Sequence, residues 1–538
     1  MPGKFIGLGI LALTLTLALP QAAVAGESED FAGCDGLKKP KSKDDGMRGE
    51  ATVSRFGLNV FGHADVGAAR TVSACDRALA NPKLLPTQAV RRAHLLRARG
   101  AAKLQQGQHA AALADFDAAQ ATFAPAGRDP FAQRSMGVSL DLLRAIALYG
   151  LDRTDEAAAL AAGAAAARPY AVQVQMAAAV IERRGRAPGA ASGPAWANLV
   201  KLEPRARESM VGDALAGGDF AGAVRLAKAN PPHWPDTNLF GPPAQLQERL
   251  AAIVGAYAQG MQLAYAHAAT GDAAGARAQI ALVQGKPVPG GGAGPLAELA
   301  KLIDGKITAP GAKLVEARLA LEEGRPDAAA AILADPALPQ NAITAELAAA
   351  YRARHPDTAQ PLPTTPAAAP RDTAARDLGD LAGLLLIKPE SARSVIDYQK
   401  SRPAVLSAIL GAGLSMGTSL LGGVPRTAGF RSAAQPDGTV KVEYTGGTTS
   451  GAMVQEMTLL RAAELAREGG KTHFVIEGRN DYQQYMVATQ YGVEQSRTLS
   501  GYKTEMTVRF LDTAQAGPTA FEAVAVIDGL GPLYYDAA

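Results

Sequence analysis

Residues 89–124 read AVRRAHLLRARGAAKLQQGQHAAALADFDAAQATFA. Leu96 and Gly100 sit on a first helix and Gly107 turns the chain. Ala112, Phe116 and Ala119 then recur at i, i+4 and i+7 on a second helix, which is one stripe of one face. The small residues Gly100 and Ala112 let two antiparallel helices approach closely, and Phe116 fills the space between units. A turn residue followed five positions on by a helix-opening alanine occurs again at Asp152/Ala157, Gly218/Ala223, Gly271/Ala276 and Gly324/Ala329. One helix–turn–helix unit used repeatedly predicts a helical solenoid, and such arrays usually bind rather than catalyse.

The small–small–large–small spacing around Gly100, Ala112, Phe116 and Ala119 resembles the tetratricopeptide repeat. Ala157, Ala164 and Pro169 repeat it in a second unit. The units at Ala223, Ala276 and Ala329 keep the turn and its alanine, at a wider spacing than tandem repeats of that family. Insertions or extra helices fill the difference. The resemblance covers 66–355, is strongest over 89–169, and implies a grooved array that holds a protein or peptide partner.

The chain has 538 residues, too many for one core, so several domains are expected. Hydrophobic residues at 48% against 20% charged ones suit a folded chain, and abundant alanine leans it toward helix. A net charge of +3, carried partly by scattered pairs such as Arg91-Arg92 and Arg183-Arg184, is too mild for a phosphate track. At the N-terminus Lys4 precedes an apolar run from Phe5 to Leu19. Pro20 breaks that run, and Ala23-Val24-Ala25 has the form of a cleavage site. Residues 1–25 therefore read as a secretory signal peptide, with the mature chain in the periplasm or cell envelope. Residues 26–65 are polar and expected to be loosely ordered. The two cysteines, Cys34 and Cys75, are either a disulfide or two separate thiols. Acidic residues between the apolar run and Cys34 argue against lipidation there.

Further along, Asn230 to Pro243 is a proline-rich excursion in which Trp234 is either a binding aromatic or a packing one. Pro356 to Pro370 opens a Pro/Ala/Thr linker, assigned to 356–375. A helical, Gly-rich connector follows over 376–430. It begins with a short helix from Leu378 to Ile387 and includes an uncharged run at 403–425. That run suits a buried or surface-associated hairpin better than a membrane span, because Ser, Thr and Gly dilute it.

Residues 431–538 predict a small α+β domain. Val440, Val442 and Tyr444 alternate as a strand, and Met453, Met457 and Leu460 mark a helix ended by Gly469-Gly470. Thr472 to Glu477 is a short strand, Tyr502 to Phe510 a longer one, and Phe521 to Asp528 a closing helix capped at Gly529. Arg461 and Glu464 read as a solvated pair. Val442-x-Tyr444-x-Gly446, Leu459-Leu460-Arg461-Ala462-Ala463-Glu464-Leu465, Phe474-Val475 and Leu530-Gly531-Pro532 together resemble an alphaproteobacterial envelope-lipoprotein family of uncharacterised function. That resemblance covers about 435–535, implies an envelope location and a sheet backed by helices, and lends no catalytic residues.

No chemistry-bearing constellation stands out. The seven histidines form no metal-ligand spacing, and no phosphate-cradling Gly-rich loop opens a helix. Gly413-Leu414-Ser415-Met416-Gly417 matches a nucleophile-elbow pattern without the βαβ surroundings that make one, and Ser500 to Lys503 matches S-x-x-K alone. No cofactor, metal or nucleic acid is expected. The fold expected is mainly α, a tetratricopeptide-like α-solenoid followed by a small α+β domain. The function expected is an exported, non-enzymatic scaffold or adaptor for a protein or peptide partner. A membrane-associated assembly component inserting through 403–425 and an envelope-polymer hydrolase using Ser415 are the alternatives. Oligomeric state is left open.

Overall fold

A computed structural model describes residues 27–43, 45–47, 53–54, 64–124, 129–184, 193–216, 218–229, 234, 243–286, 295–339, 341–356, 378–379, 381–387, 389–390, 429–446, 450–490 and 493–535. The signal-peptide segment, the 403–425 run with Ser415, and nearly all of the 356–375 linker lie outside the described residues. Helices dominate up to Arg354, and an antiparallel sheet marks the C-terminal part.

The helices are α1 Glu27–Asp35, α2 Ala64–Ala80, α3 Ala89–Gln105, α4 His109–Phe123, α5 Pro130–Ala132, α6 Val138–Gly150, α7 Thr154–Ala167, α8 Val172–Arg184, α9 Pro194–Leu202, α10 Pro204–Ala216 and α11 Phe220–Ala229. Then come α12 Pro243–Ala269, α13 Ala273–Gln284, α14 Pro295–Ile303, α15 Ala309–Glu322, α16 Pro326–Leu333 and α17 Ala342–Arg354. Two π-turns, Gln133–Gly137 and Asp304–Thr308, run directly into α6 and α15. Successive helices pack as pairs: α3 on α4, α6 on α7, α10 on α11, α12 on α13 and α15 on α16.

The five pairs share one turn. Gly107, Gly218, Gly271 and Gly324 have φ between 71° and 77°, and Asp152 has φ 61°. At each turn that residue's N–H bonds the carbonyl three back, and the next N–H bonds the carbonyl five back. This is the Schellman arrangement, which satisfies the last carbonyls of the first helix. It requires left-handed backbone, so glycine is the usual occupant and Asp152 is tolerated at some cost. The alanine five positions on is fully buried in all five: Ala112, Ala157, Ala223, Ala276 and Ala329. Phe116, Ala119 and Ala164 are buried too. A Cβ on Gly100 would stand 2.4 Å from Phe116 Cε1, so the missing side chain is what lets α3 and α4 meet. Full burial of a phenylalanine such as Phe116 contributes about 1.5–3 kcal/mol.

The N-terminal segment is not loose throughout. Cys34 and Cys75 form a disulfide that ties α1 to α2 over a core of Phe31, Ala78, Leu84 and Leu95. Strand β1 (Val53–Ser54) pairs with the C-terminal sheet at Arg497 and Ser496.

In the C-terminal part, β2 (Gly429–Ala434), β3 (Val440–Gly446), α18 (Gly451–Glu468), β4 (His473–Gln490), β5 (Val493–Leu511), β6 (Phe521–Glu522) and α19 (Ala523–Tyr534) follow in order. The sheet runs β2-β3-β5-β4-β6. The Thr472–Glu477 strand is far longer than its apolar core, because it continues as a hairpin with β5 through polar residues. Periodicity stops signalling where both faces are wet, and Tyr482, Tyr485 and Val487 are exposed there. The closing helix also differs: Phe521 pairs with Phe474 as strand, and the helix begins at Ala523 and continues past Gly529 to Tyr534. Gly529 lies inside the helix, where the Tyr170 ring packs 3.2 Å from where a Cβ would be. Val442, Tyr444, Met457, Leu460, Ile476, Met506, Val508 and Leu530 form a core that also takes in Phe131 and Leu202 from the helical region. Among the described residues, no helix is long and apolar enough to cross a membrane.

Candidate functional site

The segment beyond the linker does not behave as a connector. Leu378, Ala382, Leu385 and Ile387 are buried in the same core as α3, α4, α6 and α8. A short 3-10 turn at Ala382–Leu385 touches α3, α6 and α8. Gly379 rests so close to α3 that a Cβ there would lie 2.8 Å from the Leu104 carbonyl oxygen. The helices hold the backbone of this segment by its carbonyls. Arg97 Nη2 donates to the Ile387 oxygen at 2.6 Å, and the Ser139 hydroxyl donates to the Leu385 oxygen. The Glu390 N–H donates to Ser135 Oγ at 3.0 Å. Ser135 lies in the first π-turn, whose widened backbone aims it and Arg134 at this groove. Burial pulls the Arg97 guanidinium down to about 9, with Asp35 opposing, so it remains charged at neutral pH.

Glu390 ends the segment in a buried ionic cluster where three parts of the chain meet. Arg168 Nη2 lies 2.9 Å from Glu390 Oε1, and Arg168 Nε lies 2.9 Å from Glu456 Oε1 on α18. Arg134 Nη2 reaches the same Glu456 oxygen at 2.7 Å, and Tyr534 OH donates to Glu456 Oε2 at 2.7 Å. Ser450 caps α18 by accepting from Met453 N at 3.1 Å and donates its hydroxyl to Glu390. Two cations thus face two carboxyls. Burial opposes ionisation of Glu456, but Arg168 and Arg134 outweigh it and hold its carboxyl at about 2. Burial pushes Glu390 up and Glu456 adds to that, while Arg168 offsets part of it. Unpaired, each of the fully buried charges would cost several kcal/mol, so their burial requires this pairing.

A second groove is open. Between α12, α15 and the start of α17 lies a cleft of about 120 Å³ lined by Met261, Tyr265, Ile307, Gly311, Leu314 and Ile343, with Gln262, Lys306 and Asn341 as its polar lining. Tyr265 is held from behind by Glu346, which accepts its hydroxyl, and by Arg318 at 3.4 Å. The Asn341 Oδ1 caps α17 by accepting from Thr344 N at 3.0 Å.

The sequence-predicted anchors Gly100, Ala112, Phe116, Ala119, Ala157, Ala164, Ala223, Ala276 and Ala329 line helix contacts rather than a site. Gly107 forms its turn. Trp234 packs edge-on against Tyr257 at 5.2 Å, under Lys286. Ser500 donates to the Gln484 carbonyl oxygen on the exposed hairpin, and Lys503 pairs with Glu443 and Glu505. Arg461 and Glu464 correct an expectation. They pair at 2.9 Å but are buried, because α18 is covered on one side by the sheet and on the other by helices. The residues that sequence reasoning missed are Arg97, Ser135, Ser139, Arg168, Glu390 and Glu456. Each is an ordinary polar residue in its helix or loop, and only the tertiary fold brings them together. No family model, characterised protein or solved structure matches the chain.

Proposed function

We propose that this chain is an exported, non-catalytic envelope scaffold. In this reading its helix pairs form a tetratricopeptide-like solenoid that holds segments of a protein partner, and the α+β part is fixed to the array as a single rigid end-piece. The observation that carries the reading is the Leu378–Glu390 segment seated among α3, α6 and α8, gripped by two of its backbone carbonyls and one backbone N–H. A surface that takes up a polypeptide segment in cis has the shape and the donors to take one up in trans. The apolar run after Lys4 and the Ala-x-Ala site support export, and the five shared turns support the array.

The test is crosslinking with mass spectrometry on the full chain in its own envelope, with export followed by N-terminal sequencing. Partner crosslinks that map to the helix pairs within 66–355 are the expected result. Crosslinks confined to 431–538, or a chain recovered with Met1 intact in the cytoplasm, would overturn the proposal.

A further inference from the structure

The two grooves stand at the same place in their units. Counted back from the turn residues Asp152 and Gly324, Arg134, Ser135, Ser139 and Leu142 coincide with Lys306, Ile307, Gly311 and Leu314. Counted back from Gly107 and Gly271, Arg97 coincides with Met261. In both units a π-turn leads into the helix that forms the groove wall. The first set holds Leu378–Glu390 and the second lines the open cleft. One groove is therefore shown with its occupant, and that occupant is a short polypeptide segment.

The substitutions between the sets say how the second occupant differs. Ser135, Ser139 and Arg97 are replaced by Ile307, Gly311 and Met261, and the place of the buried Arg168, counted the same way, is Gln340 in the sequence. The open cleft has thus exchanged two hydroxyls and the buried Arg97 for apolar surface, while Lys306 keeps a cation at the place of Arg134. Its polar lining, Gln262, Lys306 and Asn341, carries N–H donors for carbonyls, as the Ser139 hydroxyl and the Arg97 guanidinium donate to the carbonyls of the bound segment. Gly311 lets α15 close onto α12 at the base of the cleft: a Cβ there would stand 2.9 Å from Met261 Cβ.

We propose that the cleft between α12 and α15 docks a short, uncharged aliphatic segment of a separate polypeptide, one aliphatic side chain lying against Met261, Leu314 and Ile343 and the backbone carbonyls facing Gln262, Lys306 and Asn341. The inference rests on the scaffold reading and names the place and chemistry of one partner contact.

A labelled peptide of Leu381–Ile387, LAGLLLI, with an added lysine tail for solubility, is the probe. Titrated into the full chain, it is expected to bind saturably and to move the Met261 methyl resonance, assigned through Met261→Leu. Ile343→Asp puts a carboxylate in the apolar wall and is expected to weaken binding by about tenfold or more. Lys306→Glu, at an exposed rim position that leaves folding alone, is expected to weaken it as well. Binding that leaves Met261 unmoved, binding indifferent to both substitutions, or no saturable binding overturns the proposal. A photocrosslinking residue at 343, compared with one at the exposed Leu282, separates this inference from its premise. Peptide-competable crosslinks from 343 to another polypeptide support it. Crosslinks from 282 alone remove the cleft and leave the scaffold standing, and crosslinks from neither remove both. A product at 343 of twice the chain's mass makes the occupant a second copy and also overturns the proposal.

Discussion

Glu456→Gln is the most incisive perturbation of the docked C-terminal part. The carboxylate accepts from Arg168 Nε at 2.9 Å, Arg168 Nη2 at 3.1 Å, Arg134 Nη2 at 2.7 Å and Tyr534 OH at 2.7 Å. The substitution keeps the shape, removes the charge, and turns an amide N–H₂ toward groups that are themselves donors. The buried Arg168 then faces Glu390 alone, and the part-buried Arg134 loses its carboxylate. Removing one partner of a buried pair costs about 3–5 kcal/mol, which raises the undocked fraction about a hundredfold to a few thousandfold. Hydrogen exchange of the α18 amides reads this directly, because amides in a docked helix exchange through the open population. Loss of protection confined to α18, α19 and the sheet, with α3 and α4 unchanged, is the expected pattern. The double substitution Arg168→Met, Glu456→Met removes both charges and should restore most of the protection. If α18 protection in Glu456→Gln stays within about fivefold of the native chain, ~1 kcal/mol, the cluster does not hold the two parts together.

Acid gives a related prediction. Because Glu456 is held near 2 in the fold and near its ordinary value of 4.5 when exposed, its contribution is present above about 4.5 and is lost as pH falls toward 2. Glu390, pushed the other way, contributes on the acid side and loses that contribution as pH rises. Protection of α18 should therefore decline from pH 4.5 to 2 in the native chain with a slope that Glu456→Gln abolishes; an unchanged slope in that variant refutes the assignment. Reducing the Cys34–Cys75 bridge, which spans 41 positions, should lower the stability of the α1–α2 end by about 4 kcal/mol, measured as earlier chemical unfolding with thiol present. Gly100→Ala forces a methyl into the Phe116 ring and should cost about 1–3 kcal/mol in thermal melts; an unshifted melt would mean that α3 and α4 are free to move apart.

The turns and their buried alanines were legible from the sequence, because glycine before a helix opening is a local backbone requirement and alanine at a tight contact is a local steric one. The same holds for α18, whose apolar stripe and terminal Gly469-Gly470 are read within its own span. What the sequence left open or misread depends on partners far along the chain. Cys34 and Cys75 could be a disulfide or two separate thiols until α1 was laid against α2. Leu378–Glu390 read as a connector because its leucines gave no sign that α3, α6 and α8 would cover them. Arg461 and Glu464 looked solvated because a three-residue spacing carries no information about a second layer. Arg168, Glu390 and Glu456 stand more than two hundred positions apart at the extremes, and each is unremarkable alone. Local rules fix backbone turns and helix faces, since those depend on neighbours within a turn or two. The burial of a charge depends on whether an opposite charge arrives from another element, and only the tertiary fold decides that.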